Sequence, residues 1–286
     1  MITAKDQSVH RTDGHGPSLA VGQAATAKEA RQWSITDRLM HQGDCSPQEL
    51  ASAFNVSLMT IHRDLDELER RGVVSKFHGG VTVQPSAVFE SQLSFRLRSS
   101  PEEKRAIADA ALQYVEPGMS VMIDDSTSAL AMVDGFKGLG PLHLVTNFVS
   151  AITKLAAFAN EAQVTIIGVG GQYDLPHDAF VGGQCVEQIS NIRTDALFMS
   201  SSAVTGCDCY HQEERIVAIK RAMIEVATKR YLLVDHSKVG RIALNRVAHL
   251  SDFDLVITDD GIDPEVLRVW DSSGVRYQVA SRAHTD

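Results

Sequence analysis

The run Asp124-Asp125-Ser126-Thr127-Ser128 places two carboxylates and three hydroxyls after an apolar stretch and directly before a helical pattern. Hydroxyls and free N–H groups at the start of a helix favour an anion. Two aspartates repel a phosphate unless they point at sugar hydroxyls, and the plainer alternative is that Ser and Thr only cap the helix. Similar polar groups follow other apolar runs. Thr146-Asn147 follows one, Gly168 to Gly171 another with Gly170 and Gly171 exposing backbone N–H, and His236-Ser237-Lys238 brings an amine to the same rim. A lone lysine on a loop is usually solvated, but four polar groups on successive strand ends are harder to dismiss.

A second set could read nucleic acid. Leu58, Ile61, Leu65 and Leu68 recur at three- and four-residue steps and predict one apolar helix face. Ser57 can cap that helix, and Met59, Thr60, His62 and Arg63 fall outside the apolar face near its start. A helix entering a major groove by its N-terminal end sets such residues near bases and phosphates. The carboxylates that follow, Asp64, Asp66, Glu67 and Glu69, must point away from the groove or pair with basic neighbours. Beyond the helix, Val73–Phe77 and Val81–Val83 predict two strands around His78-Gly79-Gly80. That is a wing: Gly79 and Gly80 permit close approach of backbone to DNA, and Lys76 and His78 can meet phosphate.

The elements that must position these residues are legible too. Trp33, Ile35, Leu39 and Met40 predict a first helix ending near Gly43. Ser46-Pro47 starts the second, with Glu49 completing a capping box. Gly72 ends the third. Residues 28–83 carry seven cations against eight carboxylates, and the whole chain has a net charge of −9. Bulk electrostatics therefore does not favour nucleic acid, and a three-helix protein-interaction module is the alternative. From about Glu102, six apolar strands over 120–124, 142–147, 164–168, 196–200, 231–235 and 255–258 alternate with helical patterns. This predicts an α/β doubly wound, mostly parallel sheet, whose ligands bind beyond the carboxyl ends of the strands.

With 286 residues the chain holds two domains, read as a disordered tail over 1–27, a winged helix-turn-helix (α+β) over 28–84, a linker over 85–101 and an α/β domain over 102–286. No run approaches the roughly 18 apolar residues of a membrane helix, and the first residues lack a secretory signal, so a cytoplasmic protein with no membrane partner is expected. Four scattered cysteines make a disulfide framework improbable. Cys207, Cys209 and His211 are too compact for a usual zinc site and have no obvious fourth ligand. His177-Asp178 and Glu213-Glu214 read as solvated polar pairs, and no metal or cofactor is expected.

The run Ser57-Leu-Met-Thr-Ile-His-Arg-Asp-Leu-Asp-Glu-Leu-Glu-Arg-Arg-Gly72 with Phe77-His-Gly-Gly80 resembles the DeoR family of bacterial regulators. His62 stands where that family usually has arginine. Further matches are Val145-Thr-Asn147, Gly170-Gly171, a helix with Glu214, Lys220 and Met223, and Leu232 to Gly240. The family's Asp-x-Gly-Thr-Thr corresponds to Asp124–Ser128, with Ser126 for the glycine. The resemblance implies a sensor domain like ribose-5-phosphate isomerase, joined to a helix-turn-helix. It implies a homo-oligomeric repressor of a carbohydrate operon that binds double-stranded operator DNA. It further implies a phosphorylated sugar effector held by Asp124, Ser126, Thr127, Ser128, Thr146, Asn147, Gly170, Gly171, Glu214 and Lys238. An isomerase-like enzyme is the competing expectation. Against it, Ser200, Ser201 and Ser202 stand where the isomerases carry aspartates, and the run Gly206–Tyr210 has no lysine.

Overall fold

The computed structural model describes residues 27–42, 44–70, 73–77, 79–83 and 93–281. All of the expected tail except Ala27, and His78 of the wing, lie outside them. The first unit comprises α1 (Ala27–Gln42), α2 (Pro47–Ala53), α3 (Leu58–Arg70), β1 (Val74–Phe77) and β2 (Gly80–Val83). The Ser46 hydroxyl accepts from the Glu49 N–H at 3.2 Å, and the Ser46 N–H donates to Glu49 Oε2 at 2.7 Å, so the capping box opens α2. Ile35, Leu39, Leu50, Ile61, Leu65 and Leu68 are buried in one cluster. Leu58, read from its spacing as part of that face, is 38% exposed because it lies on the helix's first turn, beyond the packed cluster. The two strands pair antiparallel with Lys76 opposite Val81 and Phe77 opposite Gly80. Gly79 has φ of +90°, a left-handed conformation that glycine adopts without strain. A Cβ at Gly80 would meet the Phe77 ring at 2.3 Å.

Within the segment read as a plain linker, the chain forms α4 (Leu93–Arg98), followed by α5 (Pro101–Leu112). The larger unit then runs β3 (Ser120–Ile123), α6 (Thr127–Ala131), β4 (Leu142–Thr146), α7 (Val149–Ala156) and β5 (Val164–Gly168). A hairpin of β6 (Gln172–Asp174) and β7 (Ala179–Val181) leads to α8 (Gly183–Ser190), β8 (Thr194–Met199), β9 (Ala203–Thr205) and β10 (Asp208–His211). The remainder is α9 (Glu214–Val226), β11 (Ala227–Leu233), β12 (Asn245–His249), β13 (Leu255–Asp259), α10 (Pro264–Ser272) and β14 (Tyr277–Ala280).

Seven strands form one sheet in the order β14-β13-β11-β8-β3-β4-β5, and every pairing in it is parallel. The six strands expected from the sequence are its first six in chain order. Strand alternation divides the core in two: Val121 and Ile123 enter one cluster, Met122 the other. The chain proceeds outward from β3 to β4 and β5, then returns to lay β8 on the other side of β3. The order reverses between β3 and β8, where a doubly wound sheet opens a crevice at its carboxyl edge. A smaller sheet of β9, β10 and β12 lies apart from it.

Candidate functional site

Two surfaces carry the residues singled out by sequence. On the first, the Ser57 hydroxyl accepts from the Thr60 N–H at 3.1 Å and lies 2.8 Å from the Thr60 hydroxyl, fixing the start of α3. Met59, His62 and Arg63 are exposed, and Thr60 is half-buried. The carboxylates of α3 are engaged elsewhere. Asp64, 1% exposed, accepts from Arg31 Nε at 2.6 Å and Gln32 Nε2 at 3.2 Å on α1. Lys28 pairs with Glu67, and Lys76 with Asp66 and, at 3.1 Å, with Glu69. The Lys76 hydrogen bond and charge hold the Asp66 carboxyl below its ordinary range. The wing lysine thus clamps β1 to α3 in this structure, and the exposed leading turns of α3 are left without carboxylates from positions 57 to 63.

The second surface is a pocket at the reversal between β3 and β8. Ser126, Thr127 and Ser128 line it after β3, and Ser200, Ser201 and Ser202 after β8. Ser126 caps α6 by accepting from the Ala129 N–H at 3.1 Å. Lys220 reaches in from α9, Lys104 from α5, Arg96 from α4 and Lys238 from the turn after β11. Asp125, Glu213, His177 and His211 complete the polar wall.

Beneath the floor, Asp124 accepts from the Ser126 N–H at 3.1 Å, the Ser200 N–H at 3.0 Å and Lys220 Nζ at 2.5 Å. Lys220 Nζ also lies 3.5 Å from Asp125 Oδ1. Burial opposes charge on Lys220, but the Asp124 and Asp125 carboxylates outweigh it and raise its pKa. Burial likewise works to raise the Asp125 carboxyl, and the Lys220 and Arg96 cations outweigh that and hold it well below the usual range. Burial and the Lys220 charge push His211 down to about 3. Burial pushes Lys104 down to about 8, against the pull of Asp235. Its amine donates to the carbonyls of Arg96 and Ser99.

A further network stiffens one wall. Arg215 donates to Glu213 Oε2 at 2.9 and 2.7 Å and to Asp174 Oδ1 at 2.6 Å, and Asp174 Oδ2 lies 2.7 Å from His177 Nδ1.

Of the residues expected around an effector, Ser126, Thr127, Ser128 and Lys238 line this pocket. The others do not. Asp124 lies under it, and its neighbour Asp125 faces in. Glu214 is exposed at the start of α9, while Glu213 lines the wall. Thr146 Oγ1 accepts from the Phe148 N–H at 3.1 Å, and the Asn147 amide donates to Phe180 O at 2.8 Å, so both brace the turn after β4. The Gly170 N–H donates to Gln188 Oε1 at 3.1 Å, and a Cβ at Gly171 would lie 2.7 Å from Val181 O. These two glycines serve packing between the β6–β7 hairpin and α8. Arg96, Lys104, His177 and His211 join the pocket without any local sequence pattern to mark them. Lys220 had a signal, its place in the Glu214–Met223 helix pattern.

Cys209 is buried with its thiol donating to Ala248 O at 3.4 Å, and burial pushes it up to about 11. Among the described residues, the three metal-ligating side chains that converge are Glu103, His236 and Asp259, not Cys207, Cys209 and His211. Both Asp259 oxygens there accept from backbone N–H groups, those of His236 and Gly261. Among the described residues no helix is long and apolar enough to cross a membrane.

Residues 31–87 match the model of the DeoR-like helix-turn-helix domain, and residues 99–260 that of the DeoR C terminal sensor domain. The chain is 31% identical over 239 residues to the HTH-type transcriptional regulator YgbI of Escherichia coli K12, covering 83% of this chain and 92% of that protein. It is 30% identical over 244 residues to the glycerol-3-phosphate regulon repressor of the same organism, covering 84% and 94%. Among solved structures, ribose 5-phosphate isomerase A from Methanocaldococcus jannaschii is similar at 13% identity and a TM-score of 0.35, over 49% of this chain and 55% of that one.

Proposed function

This chain belongs to the DeoR family of helix-turn-helix transcriptional regulators, and we propose that a phosphorylated sugar held in the pocket between β3 and β8 controls its binding to operator DNA. The observation that carries this is the charge of the wall: Arg96, Lys104, Lys220 and Lys238 converge on it, with Asp125 and Glu213 in the wall and Asp124 beneath Lys220. An anionic ligand suits this concentration of cations, and it relieves the cost that burial imposes on the Lys104 ammonium. The serines at 126, 128 and 200–202, with the Asp125 carboxylate, suit the hydroxyls of a polyol. The relative that represses a glycerol-3-phosphate regulon supports a phosphate ester as the ligand class.

In this reading α3 enters the major groove by the turns bearing Ser57, Met59, Thr60, His62 and Arg63, and the turn at 78–80 lies along the backbone. Repression, released by the effector, is the mode of action, in a cytoplasmic homo-oligomer. The winged helix spans 28–84 and the sensor 102–286, with 85–101 joining them.

The pocket supports binding rather than turnover. A general base works best with a pKa near the operating pH. Asp125 is held far below that by Lys220, His211 is pushed down to about 3, and Lys104, brought to about 8, has its amine tied to the Arg96 and Ser99 carbonyls. Two measurements on the purified chain test the reading together: a thermal-shift series with sugar phosphates, their unphosphorylated sugars and inorganic phosphate, and a gel shift on the chain's own upstream DNA. Stabilisation by phosphate esters with release of DNA is expected, without aldose–ketose conversion. Stabilisation by the neutral sugars alone sinks the proposed ligand class.

A further inference from the structure

Helix α4, the first described after the wing, divides its side chains between two bodies. Leu93 packs on the sensor cluster, and its N–H donates to Pro176 O at 3.0 Å. Phe95, 5% exposed, belongs instead to the winged-helix cluster with Ile35, Ile61 and Leu65. The next residue, Arg96, lines the pocket. Its Nη1 donates to Asp125 O at 2.7 Å, its Nη2 to His177 O at 3.2 Å, and Asp125 Oδ2 lies 4.0 Å away. The Arg96 carbonyl accepts from Lys104 and from the Thr127 hydroxyl at 3.1 Å. Its Nε is buried without a hydrogen-bond partner.

The free volume inside the pocket is about 50 Å³. An anion that enters is held most tightly where a wall can move onto it. Ser126–Ser128 and Ser200–Ser202 are fixed to adjacent central strands, and Lys220 is clamped by two buried carboxylates. Helix α4 has six residues, and Arg96 holds it to the pocket largely through neutral carbonyls. Charge-assisted bonds to a phosphate are about twice as strong as neutral ones, so a bound anion competes for the guanidinium.

We propose that α4 is the element by which occupancy of the pocket reaches the DNA-reading unit: Arg96 turns onto the bound anion, α4 shifts with it, and Phe95 leaves its place in the winged-helix cluster. The proposal rests on the effector reading of the pocket. It makes Arg96 a ligand contact and Phe95 the positioning residue that passes the change to α3.

Hydrogen exchange on the full-length protein decides it in two arms. Without ligand, Arg96→Ala loosens α4, so amides from Ile61 to Leu68 exchange about tenfold faster, the factor that corresponds to about 1.4 kcal/mol of lost hydrogen bonding. In a Phe95→Ala background the same substitution adds nothing. If Phe95→Ala unfolds the winged helix, the comparison is made in Phe95→Leu, where the Arg96→Ala effect must shrink. No effect in the wild-type background, or an equal effect in both, overturns the coupling. In the second arm, glucose 6-phosphate, glycerol 3-phosphate and inorganic phosphate are added. Slower exchange at 126–130 with faster exchange at 61–68 is expected in the wild type, and only the former in the Phe95 variant. Should none of the three protect 126–130, the effector reading fails, and the first arm still decides whether α4 couples the two units.

Discussion

Lys220 Nζ lies 2.5 Å from Asp124 Oδ2 with both side chains buried, and this pair forms the floor on which the pocket stands. Removing one partner of a buried ion pair leaves the other uncompensated and costs about 3–5 kcal/mol. Lys220→Met strands two carboxylates, Asp124 and Asp125, so the cost falls at the upper end of that range. Urea denaturation followed by circular dichroism checks it. The pH dependence has a defined sign. The folded pKa of Asp125 is depressed below its ordinary 3.8, so its contribution is present above that value and is lost as pH falls through the folded pKa. Acid unfolding of the wild type should therefore steepen below about pH 4, and Lys220→Met should lack that steepening.

Lys104 gives a dependence of the same sign in a more alkaline window. Burial lowers its pKa from 10.5 to about 8, with Lys238 and Arg96 adding to the effect and Asp235 and Glu103 opposing it. Between those values the unfolded chain binds the proton that the folded chain has released, so stability rises with pH across that window. The gain attributable to Lys104 is up to about 3 kcal/mol, and it is absent in Lys104→Met. Affinity for a phosphate ester runs the other way, weakening above pH 8 as the amine loses its charge. Denaturation curves and calorimetric titration at pH 7, 8, 9 and 10 separate the two. A flat stability difference between wild type and Lys104→Met rules out a buried ammonium as the source of the dependence.

The sheet was legible because its strands are short apolar runs bounded by polar residues, and the capping box at Ser46 and Glu49 because its spacing is local. β14 escaped: Tyr277-Gln-Val-Ala is a half-exposed edge strand with no continuous apolar run. The pocket was half legible. Sequence marks where a strand ends, but not which of two adjacent residues turns inward, and so Asp124 and Glu214 were expected where Asp125 and Glu213 stand. Arg96 and His177 arrive from a short helix before the sheet and from the tip of the β6–β7 hairpin. Only tertiary packing brings them to Asp125, and no periodicity records it.

Asp64 is the acidic residue of α3 that does structural work for the reading surface. Its contacts with Arg31 and Gln32 tie α3 to α1 and set the angle at which the leading turns protrude. Asp64→Ala removes the buried acceptor at 3.2 Å from Gln32, which keeps its bond to Glu67, while Arg31, 20% exposed at its side chain, still reaches water. The cost is about 2 kcal/mol. The sensor should be untouched. Two resolved thermal transitions, with only that of the winged helix lowered, are expected, together with weaker binding to operator DNA. A uniform loss across both transitions argues against a local role.

Arg63 carries the sharpest functional prediction. It is exposed on the second turn of α3 beside His62, and the carboxylates that would pair with it are held by Arg31, Lys28 and Lys76. Arginine differs from lysine in presenting a planar fork that bonds two acceptors of one base edge. If Arg63 reads a base, Arg63→Ala lowers affinity for the operator by about 1–3 kcal/mol, tenfold or more, and leaves binding to random duplex nearly unchanged. Arg63→Lys restores little. A phosphate contact gives another signature: equal losses on operator and random DNA, with the salt slope shallower by about 1. Fluorescence anisotropy on both duplexes at several salt concentrations distinguishes these results. Full affinity for the operator in Arg63→Ala would remove the leading turns of α3 from the groove.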